Sequence, residues 1–352
     1  MKYSFKIGSA WGIPIEIHIT FILLMVLEFV LSFPQLYFFF IILLLFVFVV
    51  IHELSHSLVA RHYKIKVRKI VLYPIGGVSE IEEIPESPSV EWRMAAAGPL
   101  TSFAIGLVLL GLGQIMTIRV PVMPLIIATG NMMLELAQLN ILLGAFNLIP
   151  AFPMDGGRVF RAFLAEKMKF SDATKYAAFI GRLLGVFMTV FGILYDFWLV
   201  IIGVFVYIGA TEEAESTIVS TTLARVRVKD VMHPQAAVAR PENTVAEALE
   251  TMFKARYHDI LIEKEGTLQG IVAWGEIMKI KPEQRSKLQM QQLPLKQVSI
   301  FPDESVLEAY KLMSREKIGL IPVVEREEPS KVVGVVTNES IAYAYEKAKT
   351  LR

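Results

Sequence analysis

The chain has no cysteine among its 352 residues. That excludes disulfides, thiolate metal ligands and cysteine nucleophiles, so any metal site has to be built from His, Asp or Glu. An excess of either charge is missing as well. With 35 Lys and Arg against 34 Asp and Glu, the net charge is +1, and no basic stripe large enough to neutralise several phosphates is present. This argues against nucleic acid as a partner. The N-terminus MKYSFKIGSAWGIPIEIHIT also lacks a compact apolar run followed by a small-residue cleavage site, so the first hydrophobic segment is expected to be retained.

What abounds is apolar surface. Hydrophobic residues make up 54% of the chain, with a mean hydropathy of +0.51 and 22 Phe, too apolar for one soluble globule. The first 210 residues contain six candidate membrane spans, at roughly 15–33, 36–60, 94–118, 122–149, 176–194 and 197–210. With Lys2 and Lys6 inside, the inner loops hold Arg61, Lys64, Lys66, Arg68, Lys69, Arg93, Arg158, Arg161, Lys167, Lys169 and Lys175, and the outer turns hold Arg119. This asymmetry predicts a multi-pass protein of the cell membrane with both termini cytoplasmic.

One of the most apolar stretches, LYFFFIILLLFVFVVI, ends in His52-Glu53-Leu54-Ser55-His56. On a helix the two histidines lie one turn apart on the same face, about 6 Å between them, which suits a tetrahedral zinc ion. Glu53 is offset by about 100°, so it reaches a water at the metal without being a ligand. A solvated helix face, the bland reading of such a motif, is not available inside a hydrophobic span.

The metal needs a third ligand, and Asp155 is the best candidate, in the segment Asn147-Leu-Ile-Pro150-Ala-Phe-Pro153-Met-Asp155-Gly156-Gly157-Arg158. Two prolines three apart cannot continue a helix, and the Gly pair opens backbone conformations closed to other residues. Irregular backbone at membrane depth is tolerated only when packed in protein or lining a wet cavity. The alternative is an ordinary loop in which Asp155 caps the following helix. Topology favours the ligand: His56 lies just before Arg61, and Asp155 follows the fourth span as it returns inward, so both reach one leaflet. Asn147 could donate to a developing oxyanion or hold the substrate backbone; equally, it could satisfy carbonyls at a helix end.

HELSH in the second span together with NLIPAFPMDGG after the fourth resembles the site-2 protease family of intramembrane zinc metalloproteases. GIPIEIHIT, LYPIGGVSE and AAAGPLTS resemble further family segments in the expected order, so the resemblance covers about residues 1–210. It implies His52, His56 and Asp155 as ligands of one zinc per chain and Glu53 as general base. Residues 67–84, VRKIVLYPIGGVSEIEEI, resemble the family's membrane-dipping β segment, whose edge near Gly76 and Gly77 could pair with an extended stretch of a transmembrane substrate; a surface hairpin is the alternative. His18, Glu28 and Glu135 are polar groups within spans but sit at no metal-ligand spacing, while His62 reads as an interfacial residue.

After residue 210 the character changes. TEEAESTIVSTT, 211–222, reads as a linker or fraying helix end, and the remainder of the chain contains one pattern twice. Pro241 to Ala248 with Met252 matches Pro302 to Ala309 with Met313, and GIVAWGEI from Gly270 matches GVVTNESI from Gly334. Each copy, about 223–281 and 292–350, reads strand, helix, two strands, helix. The pair at 223–352 resembles tandem CBS domains, modules that bind adenine nucleotides. The second copy retains Thr337 and Ser340 as a candidate ribose contact for ATP or AMP, where the first has Ala273 and Glu276. Such pairs also associate across a two-fold axis, which would favour a homodimer.

The expected architecture is therefore a polytopic α-helical membrane domain of six transmembrane helices, residues 1–210, followed by α/β tandem CBS domains. The expected function is a zinc-dependent endopeptidase acting on transmembrane or membrane-anchored substrates, modulated by nucleotide at the CBS pair. The alternative is a CBS-regulated metal-ion transporter or channel. That reading explains polar groups in spans but not Glu53 beside His52, a group needed for acid–base work and not for transport.

Overall fold

The computed structural model describes residues 3–33, 36–81, 87–119, 124–234 and 236–350. The chain divides into two units, Met1–Glu215 and Ser216–Arg352.

The first unit opens with a hairpin. β1 (Ser4–Ala10) and β2 (Ile13–His18) pair antiparallel around Trp11 and Gly12. Both turn residues have positive φ, 49° and 78°, the handedness that suits the twist of a two-residue hairpin. Residues 15–18, expected to begin the first span, belong to β2. Ile13, Ile15 and Ile17 alternate with Pro14, Glu16 and His18, a period of two rather than 3.6. His18 then caps α1 (Ile19–Ser32), its Nδ1 accepting from the Thr20 backbone N–H at 3.3 Å.

After α2 (Tyr37–His62), β3 (Val67–Tyr73) joins parallel to β2 and β4 (Gly76–Ile81) folds back antiparallel on β3. The sheet order is β1-β2-β3-β4, so β4 is an edge strand. Residues 82–84 of the expected β segment lie outside the described residues.

Four described helices are long and apolar enough to cross a membrane: α2, α3 (Pro88–Arg119), α6 (Phe170–Tyr195) and α7 (Phe197–Leu223). α1 has 14 residues, fewer than the roughly 20 that span the hydrocarbon core. α4 (Pro124–Asn147) follows α3, and residues 122–123 of the expected fourth span lie outside the described residues. Leu107, Phe187, Leu194 and Trp198 are exposed on the long helices, as large apolar side chains are where the solvent is lipid.

Between α4 and α6 sits α5 (Asp155–Ala165), a short helix that buries Gly156, Gly157, Arg161 and Ala162. Of the two readings of segment 211–222, linker or helix end, the second holds, because α7 runs through it. Ala210 and Ala214 pack with Phe152, Ala177 and Ala178, and Glu213 accepts from Arg158, so this polar stretch has one packed face.

In the second unit the first repeat takes the expected order of elements, and the second does so with a single bridge in place of its first strand. The first holds β5 (Val238–Ala239), α8 (Val245–Ala255), β6 (Ile260–Lys264), β7 (Thr267–Val272) and α9 (Trp274–Ile277). The second holds α10 (Val306–Glu316), β8 (Leu320–Val324), β9 (Val332–Thr337) and α11 (Asn338–Thr350), with Ile300 bridging to Val323 where the first strand would stand. The helices of the repeat start alike, Thr244 and Ser305 accepting from Glu247 and Glu308 N–H, and end alike in left-handed Arg256 and Lys317. α9 is a single turn where α11 has 13 residues. One apolar cluster contains Leu261 and Ile271 of the first copy beside Ile321 and Val336 of the second. Buried Asp259 ties the copies further, accepting from Trp274 N–H at 2.8 Å and from Gly319 N–H at 2.5 Å.

Candidate metal centre

His52 and His56 lie on one face of α2, their rings 4.8 Å apart between centroids and at 74° to each other. Both are buried, at 4% and 8% exposed. Asp155, the first residue of α5, meets them from a separate part of the chain: its Oδ2 is 3.2 Å from His52 Nε2 and 3.1 Å from His56 Nε2. The three donor atoms all lie within 4.8 Å of one another, the one such His and carboxylate cluster found among the described residues. Two imidazoles and a carboxylate, with no thiolate, form a donor set suited to a zinc that keeps an open position for chemistry.

The far ring nitrogens are fixed. His56 Nδ1 donates to the Met94 carbonyl at 2.6 Å, which places the proton there and leaves Nε2 free to bind a cation. His52 Nδ1 lies 2.9 Å from Ser102 Oγ, a partner that orients the second ring in the same sense. Both partners come from α3, which also presents Gly98. A Cβ there would clash with Nε2 of both histidines, so glycine is required for the helix to pass this close.

Glu53 points to the sheet. Its Oε2 accepts from Ser79 Oγ on β4 at 2.7 Å, and a Cβ on Gly77 would lie 2.5 Å from its Cγ. Edge strand β4 therefore holds the candidate base and borders the cavity in front of it. That cavity, about 680 Å³, is lined by His52, Glu53, His56, Asn147 and Asp155 and by the β3–β4 turn, Pro74 to Gly77. All four expected chemical residues, and also Gly76 and Gly77, thus face one space. Asn147 lines it too, but its Nδ2 donates to the Leu143 carbonyl of its own helix at 3.0 Å. One of its two amide hydrogens is left for the cavity.

The Gly pair after Asp155 works differently from expectation. Neither Gly156 nor Gly157 has a positive φ. Both are needed for space, since a Cβ on Gly156 would strike the Leu148 and Ile149 carbonyls and one on Gly157 would lie 2.5 Å from Phe152 N. The first turn of α5 is thereby pressed against the irregular segment that precedes it, in which the Phe152–Pro153 bond is cis. α5 is held by Arg161, which donates to buried Glu91 of α3, pairs with Glu213 at 3.3 Å and lies over the Phe152 and Phe170 rings.

Thr337 and Ser340, expected as a ribose contact, are buried and bond to each other at the start of α11, Oγ1 to Oγ at 3.2 Å. Tyr37 donates to Glu135 at 3.0 Å, and neither Glu135 nor Glu28 belongs to the metal cluster.

Residues 40–121 and 112–188 match Peptidase family M50, and residues 228–283 and 291–347 each match the CBS domain. Zinc metalloprotease MJ0392 of Methanocaldococcus jannaschii is 37% identical over 348 residues, 98% of this chain and 96% of that protein. Putative zinc metalloprotease Rip3 of Mycobacterium tuberculosis is 30% identical over 83% of this chain and 76% of its own length. Among solved structures, the site-2 protease from Methanocaldococcus jannaschii is 44% identical, covering 60% of this chain and 95% of that one, with a TM-score of 0.46.

Proposed function

Since the chain belongs to peptidase family M50 and is a zinc metalloprotease with tandem CBS domains, we propose that it cleaves peptide bonds of transmembrane or membrane-anchored substrates from within the bilayer. The observation that carries this reading is the convergence of His52, His56 and Asp155 at the end of an apolar span, beside Glu53 and an edge strand. A metal-ion transporter is not favoured, because the relatives are zinc metalloproteases and Ser79 aims Glu53, which is no member of the metal cluster, into the cavity.

His52, His56 and Asp155 would hold the zinc. When bound, zinc polarises the scissile carbonyl and makes water acidic enough to be deprotonated near neutral pH. Glu53 takes that proton and returns it to the leaving amine, oriented for both transfers by its bond from Ser79. A transmembrane helix hides its peptide bonds in its own hydrogen bonds, so part of the substrate must unwind. β4 supplies a replacement, since its edge could accept an extended strand near Gly76 and Gly77, and Gly77 lets β4 itself lie against Glu53. The remaining amide hydrogen of Asn147 serves the developing oxyanion or the substrate backbone.

The same proposal includes six spans with both termini and the CBS pair in the cytoplasm, supported by the excess of Lys and Arg in the inner loops. It also includes ATP or AMP at the CBS pair near Thr337 and Ser340, biasing access to the cavity, and pairing of two chains through these domains. Nucleotide binding there requires the mutual hydrogen bond of Thr337 and Ser340 to be exchanged for one to the ligand.

Glu53→Gln tests the central claim. The variant is expected to keep its zinc and lose cleavage of a membrane-anchored reporter by at least about 100-fold, within the range for general base catalysis. Undiminished cleavage would remove Glu53 from the mechanism, and loss of zinc in the variant would make Glu53 a part of the metal site rather than the base.

A further inference from the structure

The C-terminal turn of α2, one helical turn and a half beyond His56, opens into a second pocket of about 340 Å³. Arg61, Lys64, Lys66 and Arg68 line it together with Gly12 and Ile13, and no acidic side chain among the described residues does. All four cations are exposed. Lys69, next along β3, pairs with Glu16 at 2.7 Å and Glu80 at 3.7 Å, and Arg68 has an interaction of its own, so Lys64 and Lys66 are the cations on which the site depends.

The pocket is built by two parts of the fold that meet there. Arg61 donates to the Trp11 carbonyl, so the end of α2 is bound to the tip of the β1–β2 hairpin. Lys64 adopts a left-handed conformation, φ 62°, and its N–H returns to the Arg61 carbonyl at 2.9 Å, which turns the chain so that Lys64 and Lys66 border the same space. Trp11 also has a positive φ, 49°, unusual for a bulky residue. The indole is 68% exposed; Phe5 and Ile7 of the adjoining β1 are 55% and 60% exposed, and Tyr3 just before it 63%. A basic pocket at the end of a membrane span, with Arg61 bonded to the backbone of an exposed Trp11, has the features of the headgroup layer: aromatic rings at the apolar boundary and cations facing phosphate.

We propose that this pocket binds the phosphodiester of an anionic lipid, with Trp11 seated at the bilayer interface beside it, and so fixes the last turn of the helix that carries His52 and His56. Free phosphate shares the charge but has no use for Trp11, Phe5 and Ile7; a lipid engages both. The site is separate from the cavity at Glu53, and its occupancy does not depend on which side of the membrane the pocket faces.

The test uses the full-length protein in nanodiscs of phosphatidylcholine with and without phosphatidylglycerol, counting phosphatidylglycerol molecules retained after extraction into detergent by native mass spectrometry. The wild type is expected to retain phosphatidylglycerol in preference to phosphatidylcholine. Lys64→Gln with Lys66→Gln should weaken retention roughly 25-fold, about fivefold for each cation near an anionic bilayer surface. Lys167→Gln with Lys169→Gln removes the same charge from exposed positions elsewhere and should leave retention unchanged. Millimolar inorganic phosphate should fail to displace the lipid. Equal losses in the two double variants would reduce the effect to net charge, displacement by phosphate alone would make this a free-anion site, and no preference for phosphatidylglycerol would remove the site. Each overturns the proposal. Unchanged helical content and monodisperse elution keep the comparison to folded protein.

Discussion

Gly98→Ala adds one methyl group to α3 and should empty the metal site. The new Cβ would lie 2.5 Å from His52 Nε2 and 2.6 Å from His56 Cε1, and nearer still to His56 Nε2. Relief to ordinary contact requires the rings to retreat by about 1 Å, yet zinc–ligand distances tolerate only about ±0.2 Å. Neither ring is free to swing, because Ser102 lies 2.9 Å from His52 Nδ1 and the Met94 carbonyl holds His56 Nδ1 at 2.6 Å, both from the same helix as the intruding methyl. Loss of outer partners alone weakens such sites by about 10–100-fold; displacing two ligands at once should exceed about 100-fold. The fold should survive, since overpacking by one methyl costs about 1–3 kcal/mol. The assay is zinc per chain after dialysis against a graded series of chelator concentrations, with cleavage of a membrane-anchored reporter alongside. Wild-type zinc retention together with wild-type cleavage in Gly98→Ala would refute the placement of α3 against the ligands, and with it the reason given for glycine at this position.

Arg161→Leu leaves Glu91 buried with neither carboxylate oxygen paired to Arg161, since its Oε2 already has no hydrogen-bond partner. Removing one partner of a buried pair costs about 3–5 kcal/mol, so a clear fall in the thermal midpoint in detergent is expected, with partial recovery in Arg161→Leu/Glu91→Gln; an unchanged midpoint would show that α5 is held by its glycines alone. Saturating ATP is expected to change the reporter cleavage rate, and Thr337→Val to abolish that response; a rate indifferent to ATP in protein shown by calorimetry to bind it would end the regulatory proposal.

The residues proposed to perform chemistry were legible because their identity and their spacing both lie within short segments. His52, Glu53 and His56 are read from helical spacing within an apolar span, and Asp155 from prolines and glycines that interrupt an apolar stretch, from the topology that returns it to the same leaflet and from the family resemblance. The repeat in the second unit was equally legible, its helix starts marked by Thr244 and Ser305 with glutamates three residues on. The first span was misplaced at its start, since a hydropathy window merges Ile13, Ile15 and Ile17 with the helix after them and hides their period of two. The tail of α7 stayed open between linker and helix end for the opposite reason: its packed face is made of Ala210 and Ala214, too small to register as apolar periodicity.

The parts that hold the ligands escaped the sequence for a physical reason. Gly98 acts through the atom it lacks, Met94 through a backbone oxygen that any residue would supply, and Ser102 and Ser79 through hydroxyls indistinguishable in sequence from the other serines of the chain. Gly156 and Gly157 were noticed, but as conformational freedom, whereas the structure uses their missing side chains to let α5 start within contact of the segment before it. In each case the function is a close approach between elements distant in sequence. Zinc chemistry depends on that approach, because two histidines on one helix define a line and the third ligand must arrive from elsewhere. α3 packs the histidines from behind while α5, held through Arg161 to Glu91 of that same α3, brings in Asp155. A single helix therefore sets the tautomer of His56, orients His52 and anchors the element carrying the carboxylate, so a shift of α3 would act on all three proposed ligands together rather than on one.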